Sequence, residues 1–169
     1  MELDDERRLA YRARVRAILK RFEREVPSLG FTRAKKQLYV RAGEHWAHWI
    51  SLRVPAYPAR SFELEWGVRA YNDEFEALHL NGGRYSGSDK PFDTWFVDSD
   101  ESEDRCAGDL LKVVEKIIIP WAERTSNARA LTGWRSPLMP AARRSLQAAL
   151  DGRSRDEWIR RSRALLFQS

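Results

Sequence analysis

The stretch that decides the fold is SFELEWGVRAY, residues 61–71, in which apolar and polar side chains alternate. Because successive side chains of a β-strand point to opposite faces of a sheet, this alternation predicts a strand. The face toward the core would carry Phe62, Leu64, Trp66, Val68 and Ala70. The outward face would carry Glu63, Glu65, Gly67, Arg69 and Tyr71. This pattern is typical of an antiparallel sheet with one face in water.

The residues before this strand predict a β-hairpin, with strands over 37–42 and 45–54. Gly43 lies between them and can take the positive φ that a tight turn needs. In the second of these strands the core face would hold Trp46, His48, Ile50, Leu52 and Val54.

The register of the first strand of this hairpin has two alternatives. A two-residue loop pairs Arg41 with Trp46 and points Tyr39 inward. A three-residue loop pairs Ala42 with Trp46 and points Leu38 and Val40 inward. A slip of one residue turns every side chain to the other face. We favour the three-residue loop because it buries no arginine.

Helical periodicity is present on both sides of the strands. An apolar stripe predicts a helix over 5–26, ended by Pro27 and Gly30. A second helix is predicted over 101–130, with a capping box at Asp98 and Glu101 and a kink or break at Pro120. The connection over 72–92 leaves room for a short strand or helical turn over 74–80, and a last strand is predicted over 93–97.

The C-terminal residues predict a helical hairpin after a linker over 132–137. Its helices lie near 138–150 and 155–167, and Ser154 and Glu157 form a capping box before the second. The expected fold class is therefore α+β, with an N-terminal helix, an antiparallel sheet of about four strands, a long helix and then the hairpin. We expect an α+β domain over 1–131 and a hairpin appendage over 132–169.

The charge of the chain is unevenly distributed. The net charge is +5 overall, with +5 over residues 1–36, −4 over 37–100 and +4 over 137–169. Of the 30 basic residues, 24 are arginine. This skew is as typical of a GC-rich genome as of a nucleic-acid-binding protein, so a pI of 9.6 permits polyanion binding without indicating it strongly.

Targeting signals and cysteine content indicate the compartment. The first ten residues, MELDDERRLA, lack the apolar run of a signal peptide. No apolar stretch approaches the roughly 20 residues that span a bilayer. The single cysteine, Cys106, excludes an internal disulfide and fits a reducing compartment. A cytoplasmic protein without membrane contact is expected.

Several motifs follow one another in the order of a known family. Gly30-Phe31-Thr32-Arg33, then Leu38-Tyr39-Val40-Arg41, resembles its opening signature, and residues 62–68 resemble its third-strand motif. Trp46–Arg53, Trp95 and the helix with Pro120 continue the order. Over roughly residues 5–130 the chain resembles the bacterial domain-of-unknown-function family 4304. It departs from that family at residues 50–53 and at Glu65, where the family has asparagine-containing motifs. The resemblance implies an α+β fold, and it supplies no activity because the family has none established.

Side chains that could carry chemistry are few and scattered. His45 and His48 lie on opposite faces of one predicted strand, so a metal site would need His45 beside Glu63 or Glu65. Glu63 and Glu65 share a face and could act as an acid–base pair, although a salt-bridged sheet face is the more usual arrangement. Cys106 lies on a helix stripe, which indicates an apolar filler and not a nucleophile. We expect no cofactor, no metal and a non-enzymatic protein.

The outward sheet face is the candidate binding surface. Trp49 and Tyr71 are large residues to leave in water, so either the C-terminal hairpin covers them or they bind a partner. The function predicted first is a protein-interaction module of the immunity or regulatory type, with a protein partner or a second copy of the chain. The candidate residues are His45, Trp49, Arg53, Glu63, Glu65, Arg69 and Tyr71.

Nucleic-acid binding through the arginine-rich ends of the chain is the alternative function. The first helix is rich in arginine, and phosphate contacts of this kind give a steeply salt-dependent affinity. Acidic residues are interleaved with the basic ones, which weakens the positive field. The C-terminal arginines that would take part are Arg143, Arg144, Arg153, Arg155, Arg160, Arg161 and Arg163.

Overall fold

The computed structural model describes residues 2–54, 62–86 and 100–168. Helix α1 (Glu2–Glu25) ends in a 3₁₀ turn (Val26–Leu29), and Gly30 with φ of 85° closes it. The predicted end of this helix is therefore confirmed. The described residues then form one antiparallel sheet whose strands lie in chain order: β1 (Thr32–Lys35), β2 (Leu38–Ala42), β3 (Trp46–Arg53), β4 (Glu63–Ala70) and β5 (Gly83–Ser86). The α+β class is confirmed, with five strands in place of about four.

The helices after the sheet are α2 (Asp100–Val113), α3 (Ile119–Arg124), α4 (Ala128–Thr132), α5 (Pro140–Leu150) and α6 (Asp156–Phe167). A π-helical turn (Val114–Ile118) joins α2 to α3, and in it the Ile119 amide donates to the Val114 carbonyl. This turn ends two residues before Pro120, which has no amide hydrogen to donate, so the predicted irregularity is confirmed. A second break precedes α4, which Asn127 caps by accepting from the Ala130 amide at 2.8 Å.

The main core lies between the inner face of the sheet and the pair α1 and α2. Phe22 of α1 packs edge-on against Tyr39 of β2, with ring centroids 5.2 Å apart, and both are fully buried. Ile50, Leu64 and Leu110 are equally buried in the same cluster. The core face that the alternating pattern of β4 predicts is therefore confirmed.

The favoured register of the first hairpin is wrong. Ala42 lies opposite Ala47, and Tyr39 lies opposite Ile50 on the inner face, while Val40 lies opposite Trp49 on the outer face. Gly43 does not have a positive φ. A Cβ there would instead lie 2.9 Å from the Trp46 carbonyl oxygen, so the close approach of the backbone requires glycine.

The two helices of the C-terminal hairpin pack on opposite faces of the sheet, at one of its ends. Helix α5 packs on the inner face, where Leu146 meets Val68 and Ala70. Helix α6 packs on the outer face, where Leu166 meets Trp49. The prediction of a sheet with one face in water is therefore wrong for this half of the sheet, because α6 covers it.

Asn72, directly after β4, joins both helices of the hairpin to the sheet. Its Nδ2 donates to the Ser145 carbonyl of α5 at 2.8 Å. Its Oδ1 accepts from the Arg155 amide at the start of α6 at 2.7 Å. The predicted capping box at Ser154 and Glu157 is wrong, because the N-cap is Arg155 and makes no side-chain cap.

The predicted strand over 93–97 and Asp98 of the first capping box lie outside the described residues. Segment 74–80 is irregular, with a bend at residues 76–77 and no strand or helix, and β5 follows it. In the described part of the chain no helix combines the length and apolar character needed to cross a membrane.

Candidate binding surface

Three of the seven residues predicted on the outer sheet face are covered by the hairpin. Trp49, Arg69 and Tyr71 are 4%, 1% and 5% exposed. Trp49 and Tyr71 share an apolar cluster with Leu166 of α6. These side chains cannot contact a partner while α6 is docked. Of the two alternatives that the size of Trp49 and Tyr71 suggested, the structure shows that the hairpin covers them.

Arg69 is the centre of a buried hydrogen-bond network. Its Nε donates to the Ser162 hydroxyl of α6 at 2.9 Å. Its terminal nitrogens donate to the carbonyls of Asp73 (3.1 Å), Phe75 (2.7 Å) and Ala77 (3.0 Å). Nη1 also lies 3.4 Å from the Asp73 carboxylate. Burial lowers the pKa of Arg69, and the charge of Asp73 opposes that shift. The guanidinium therefore holds the loop after β4 against α6.

The open part of the outer face is a network of ion pairs. Arg53 reaches Glu63 at 3.5 Å and Glu65 at 3.4 Å, and Arg84 of β5 also pairs with Glu65. Two positive and two negative side chains neutralise one another here. The binding of a protein partner by the outer face stays a prediction, now restricted to this open part.

His45 lies at the other end of the sheet from the two glutamates. Tyr71 donates its amide to the His45 carbonyl at 2.9 Å, whereas Glu63 lies opposite Arg53 at the far end of β3. The structure therefore does not bring His45 beside Glu63 or Glu65, the arrangement that a metal site there would need. Within the described ranges, no cluster of three or more His, Cys, Asp or Glu side chains could hold a metal ion.

His48 and Cys106, the most reactive of the buried side chains, both have structural roles. The ring nitrogen Nε2 of His48 lies 2.9 Å from the Thr125 hydroxyl. Burial, together with the charge of Arg41, lowers the pKa of His48 to about 4. Cys106 is fully buried, and burial raises the pKa of its thiol to about 12. At neutral pH the imidazole is neutral, and the thiol is protonated and shielded from water.

The residues over 127–150 form a surface of which the sequence analysis singled out only Arg143 and Arg144. This stretch contains no aspartate or glutamate. We call its four arginines the basic surface: Arg129, Arg135, Arg143 and Arg144. Arg143 is half-buried and the other three are exposed. No described carboxylate forms an ion pair with any of the four.

An indole ring and a cleft adjoin the basic surface. Trp134 is 81% exposed, which is the largest value among the large apolar side chains that the structure describes. The guanidinium carbon of Arg135 lies 4.5 Å from the centre of its ring. A cleft of about 310 Å³ lies alongside, lined by Thr132, Pro140, Arg143, Arg144 and Gln147. The absence of acidic residues from this stretch is the signal by which the sequence could have revealed the surface.

Comparison of the chain with protein-family models, with curated proteins and with solved structures gives no match. The resemblance to a bacterial family of unknown function therefore stays a prediction.

Proposed function

We propose that this protein is a non-enzymatic binding protein and that its ligand is nucleic acid, bound by the basic surface. The observation that carries the proposal is four arginines in a stretch without acidic residues, none of them paired with a described carboxylate. Guanidinium groups match the geometry of phosphate oxygens and form bidentate hydrogen bonds with them. Their charge is thus available to a polyanion.

The basic surface rests on a rigid support. Helix α5 is anchored through Ala142 and Leu146, which are 2% and 0% exposed. Arg143 donates to the Gly133 carbonyl at 3.0 Å and so fixes the linker between α4 and α5. The backbone that carries these arginines is therefore ordered before binding, which lowers the entropy cost of forming a complex.

Other arginines at the C-terminus are already engaged. Arg153 pairs with Asp151 at 2.9 Å, and Arg161 pairs with Glu157 at 3.1 Å. The guanidinium of Arg155 lies over the ring of Trp158, 4.4 Å from its centre. The proposed surface is therefore narrower than the sequence prediction of arginine-rich terminal helices, and it is centred on α4, the linker and α5.

Removing two unpaired arginines is expected to weaken nucleic-acid binding more than removing two paired ones. The test variant is Arg129→Gln with Arg144→Gln, and the matched control is Arg153→Gln with Arg161→Gln. Both lower the net charge by two. Fluorescence anisotropy with a labelled single-stranded oligonucleotide, titrated with salt, measures the slope of log K against log salt. The slope should fall by about 1.4 in the test variant, about 0.7 for each phosphate that is no longer neutralised.

The control variant should keep the slope of the wild-type protein. Equal losses in the two variants would show an effect of overall charge only. A wild-type protein that binds neither single strands nor duplexes at low salt would refute the proposed function.

A further inference from the structure

We propose that Trp134 is a stacking platform for an unpaired base, so that the basic surface binds single-stranded nucleic acid in preference to duplex. This inference rests on the proposed function and adds to it the class of ligand. It comes from the position of an exposed indole beside unpaired guanidinium groups.

The exposure of Trp134 has no counterpart among the other described tryptophans. Trp49 and Trp66 are 4% and 7% exposed, and Trp46, Trp121 and Trp158 are half-buried. Trp134 is 81% exposed. Tryptophan is well buried on average, because its ring presents a large apolar area. An indole left in water beside a guanidinium group is typical of a residue that becomes covered when a ligand binds.

The backbone presents this ring from a fixed turn. The Gly133 amide donates to the Arg129 carbonyl at 3.0 Å, and the Ser136 amide donates to the Gly133 carbonyl at 3.1 Å. A Cβ on Gly133 would lie 2.7 Å from the Arg129 carbonyl oxygen, so glycine is needed for the turn. Because Arg143 also donates to the Gly133 carbonyl, the residue before Trp134 makes three hydrogen bonds.

The chemistry around the ring fits a nucleotide. Arg135 occupies one face of the indole, which leaves the opposite face for a second flat group. The cleft presents Arg143 and Arg144 to an anion, and Arg143 connects it to the carbonyl of Gly133, the residue before Trp134. Its volume of about 310 Å³ is at the lower end of the range for small-ligand sites, about 300–1,000 Å³. A base on the ring and its phosphate in the cleft would use both features together.

Single strands are favoured because their bases are accessible. In a duplex each base is stacked on both sides, and turning one out requires unstacking and unpairing. Stacking of unpaired bases on aromatic side chains tolerates any sequence, because every base has a flat face. A protein partner would also use exposed tryptophan and arginine. The four unneutralised positive charges, with no acidic residue among them, favour the phosphate-bearing ligand.

The test compares Trp134→Ala with Trp134→Phe and with the control Trp158→Phe. Trp158 is a half-buried indole of the same hairpin that also carries a guanidinium over its ring, so it controls for tryptophan loss in general. The probes are a labelled oligothymidine and a hairpin duplex, each measured by anisotropy at low salt. Trp134→Ala should bind the single strand about 5- to 150-fold more weakly than wild type. Its affinity for the duplex should stay within about threefold, since the arginines still bind the phosphates.

Trp134→Phe should retain most of the single-strand affinity, because its ring still stacks. The quenching of tryptophan fluorescence by oligothymidine should be lost in Trp134→Phe and kept in Trp158→Phe. Unchanged single-strand binding by Trp134→Ala, with weaker binding by the Arg129 and Arg144 variant, would overturn the stacking role and leave the proposed function standing. If light scattering shows a wild-type dimer that Trp134→Ala converts to a monomer, the indole is a protein contact and the inference is refuted.

Discussion

Replacing Arg69 with leucine is expected to lower the free energy of unfolding by about 3–5 kcal/mol, the range for removing one partner of a buried ion pair. Leucine fills part of the space but donates no hydrogen bond. The carbonyls of Asp73, Phe75 and Ala77 would lose their donors, and the Asp73 carboxylate, 3% exposed, would lose its counter-charge. Each buried group left without a partner costs about 1–3 kcal/mol.

Arg53→Leu is the matched control for this substitution. Arg53 lies on the same face of the sheet, but its side chain is 61% exposed. Exposed ion pairs contribute about 0–1 kcal/mol, so this variant should unfold at nearly the wild-type urea concentration. Urea denaturation followed by circular dichroism gives both values. Similar small losses in the two variants would show that the Arg69 network does not hold the loop and α6 to the sheet.

Acid is expected to destabilise the protein through His48 before most carboxylates titrate. The pKa of His48 is about 4 in the folded state and 6.5 as its ordinary value. The unfolded chain therefore binds a proton more readily than the folded one between these pH values. The contribution of the neutral imidazole is complete above pH 6.5 and is lost as the pH falls toward 4. The loss amounts to about 3 kcal/mol, at 1.36 kcal/mol per unit of pKa.

The measurement is urea denaturation of wild type and His48→Gln at several pH values from 7.5 to 4. Glutamine does not titrate, and its amide can still meet the Thr125 hydroxyl. The unfolding free energy of wild type minus that of the variant should fall by about 3 kcal/mol as the pH is lowered over this range. Carboxylates titrate in both proteins, so their effect cancels in the difference. A constant difference would show that His48 is protonated at the same pH in the folded and unfolded chain.

The strands with strict alternation could be predicted from the sequence. In β4 the period of two assigns Leu64 and Trp66 to the core without knowledge of their neighbours. The register of β2 on β3 could not be obtained in this way. Neither predicted pairing occurs, since Arg41 lies opposite His48 and not Trp46. Avoiding a buried arginine also favoured the wrong inward face, because Arg41 lies near the end of its strand and is only half-buried.

The covered half of the outer face was predictable only in part. The size of Trp49 and Tyr71 indicated that something covers them. The burial of Arg69 could not be anticipated, because its acceptors are carbonyls of a loop whose path depends on the folded chain. Gly67 shows the same limit: a Cβ there would lie 2.7 Å from the Trp49 ring and closer still to the Asn81 side chain. Close approaches of this kind leave no periodic signal.

The basic surface could be predicted from the sequence in its composition only. An acid-free run with a Trp-Arg pair at Trp134 and Arg135 can be read from the chain directly. Whether the indole is buried or exposed depends on what packs against the linker. The sequence could therefore supply the composition of the basic surface but not its exposure.

The two hydrogen bonds of the Asn72 side chain are expected to couple the unfolding of the hairpin to that of the sheet. Its amide joins the end of β4 to both α5 and α6, and Lys35 of β1 adds a bond to the Ala164 carbonyl at 2.8 Å. Local opening of the hairpin would break these bonds and expose Trp49 and Leu146 at the same time. We therefore expect the last two helices and the sheet to unfold as one unit, with their amide hydrogens becoming accessible to solvent exchange together.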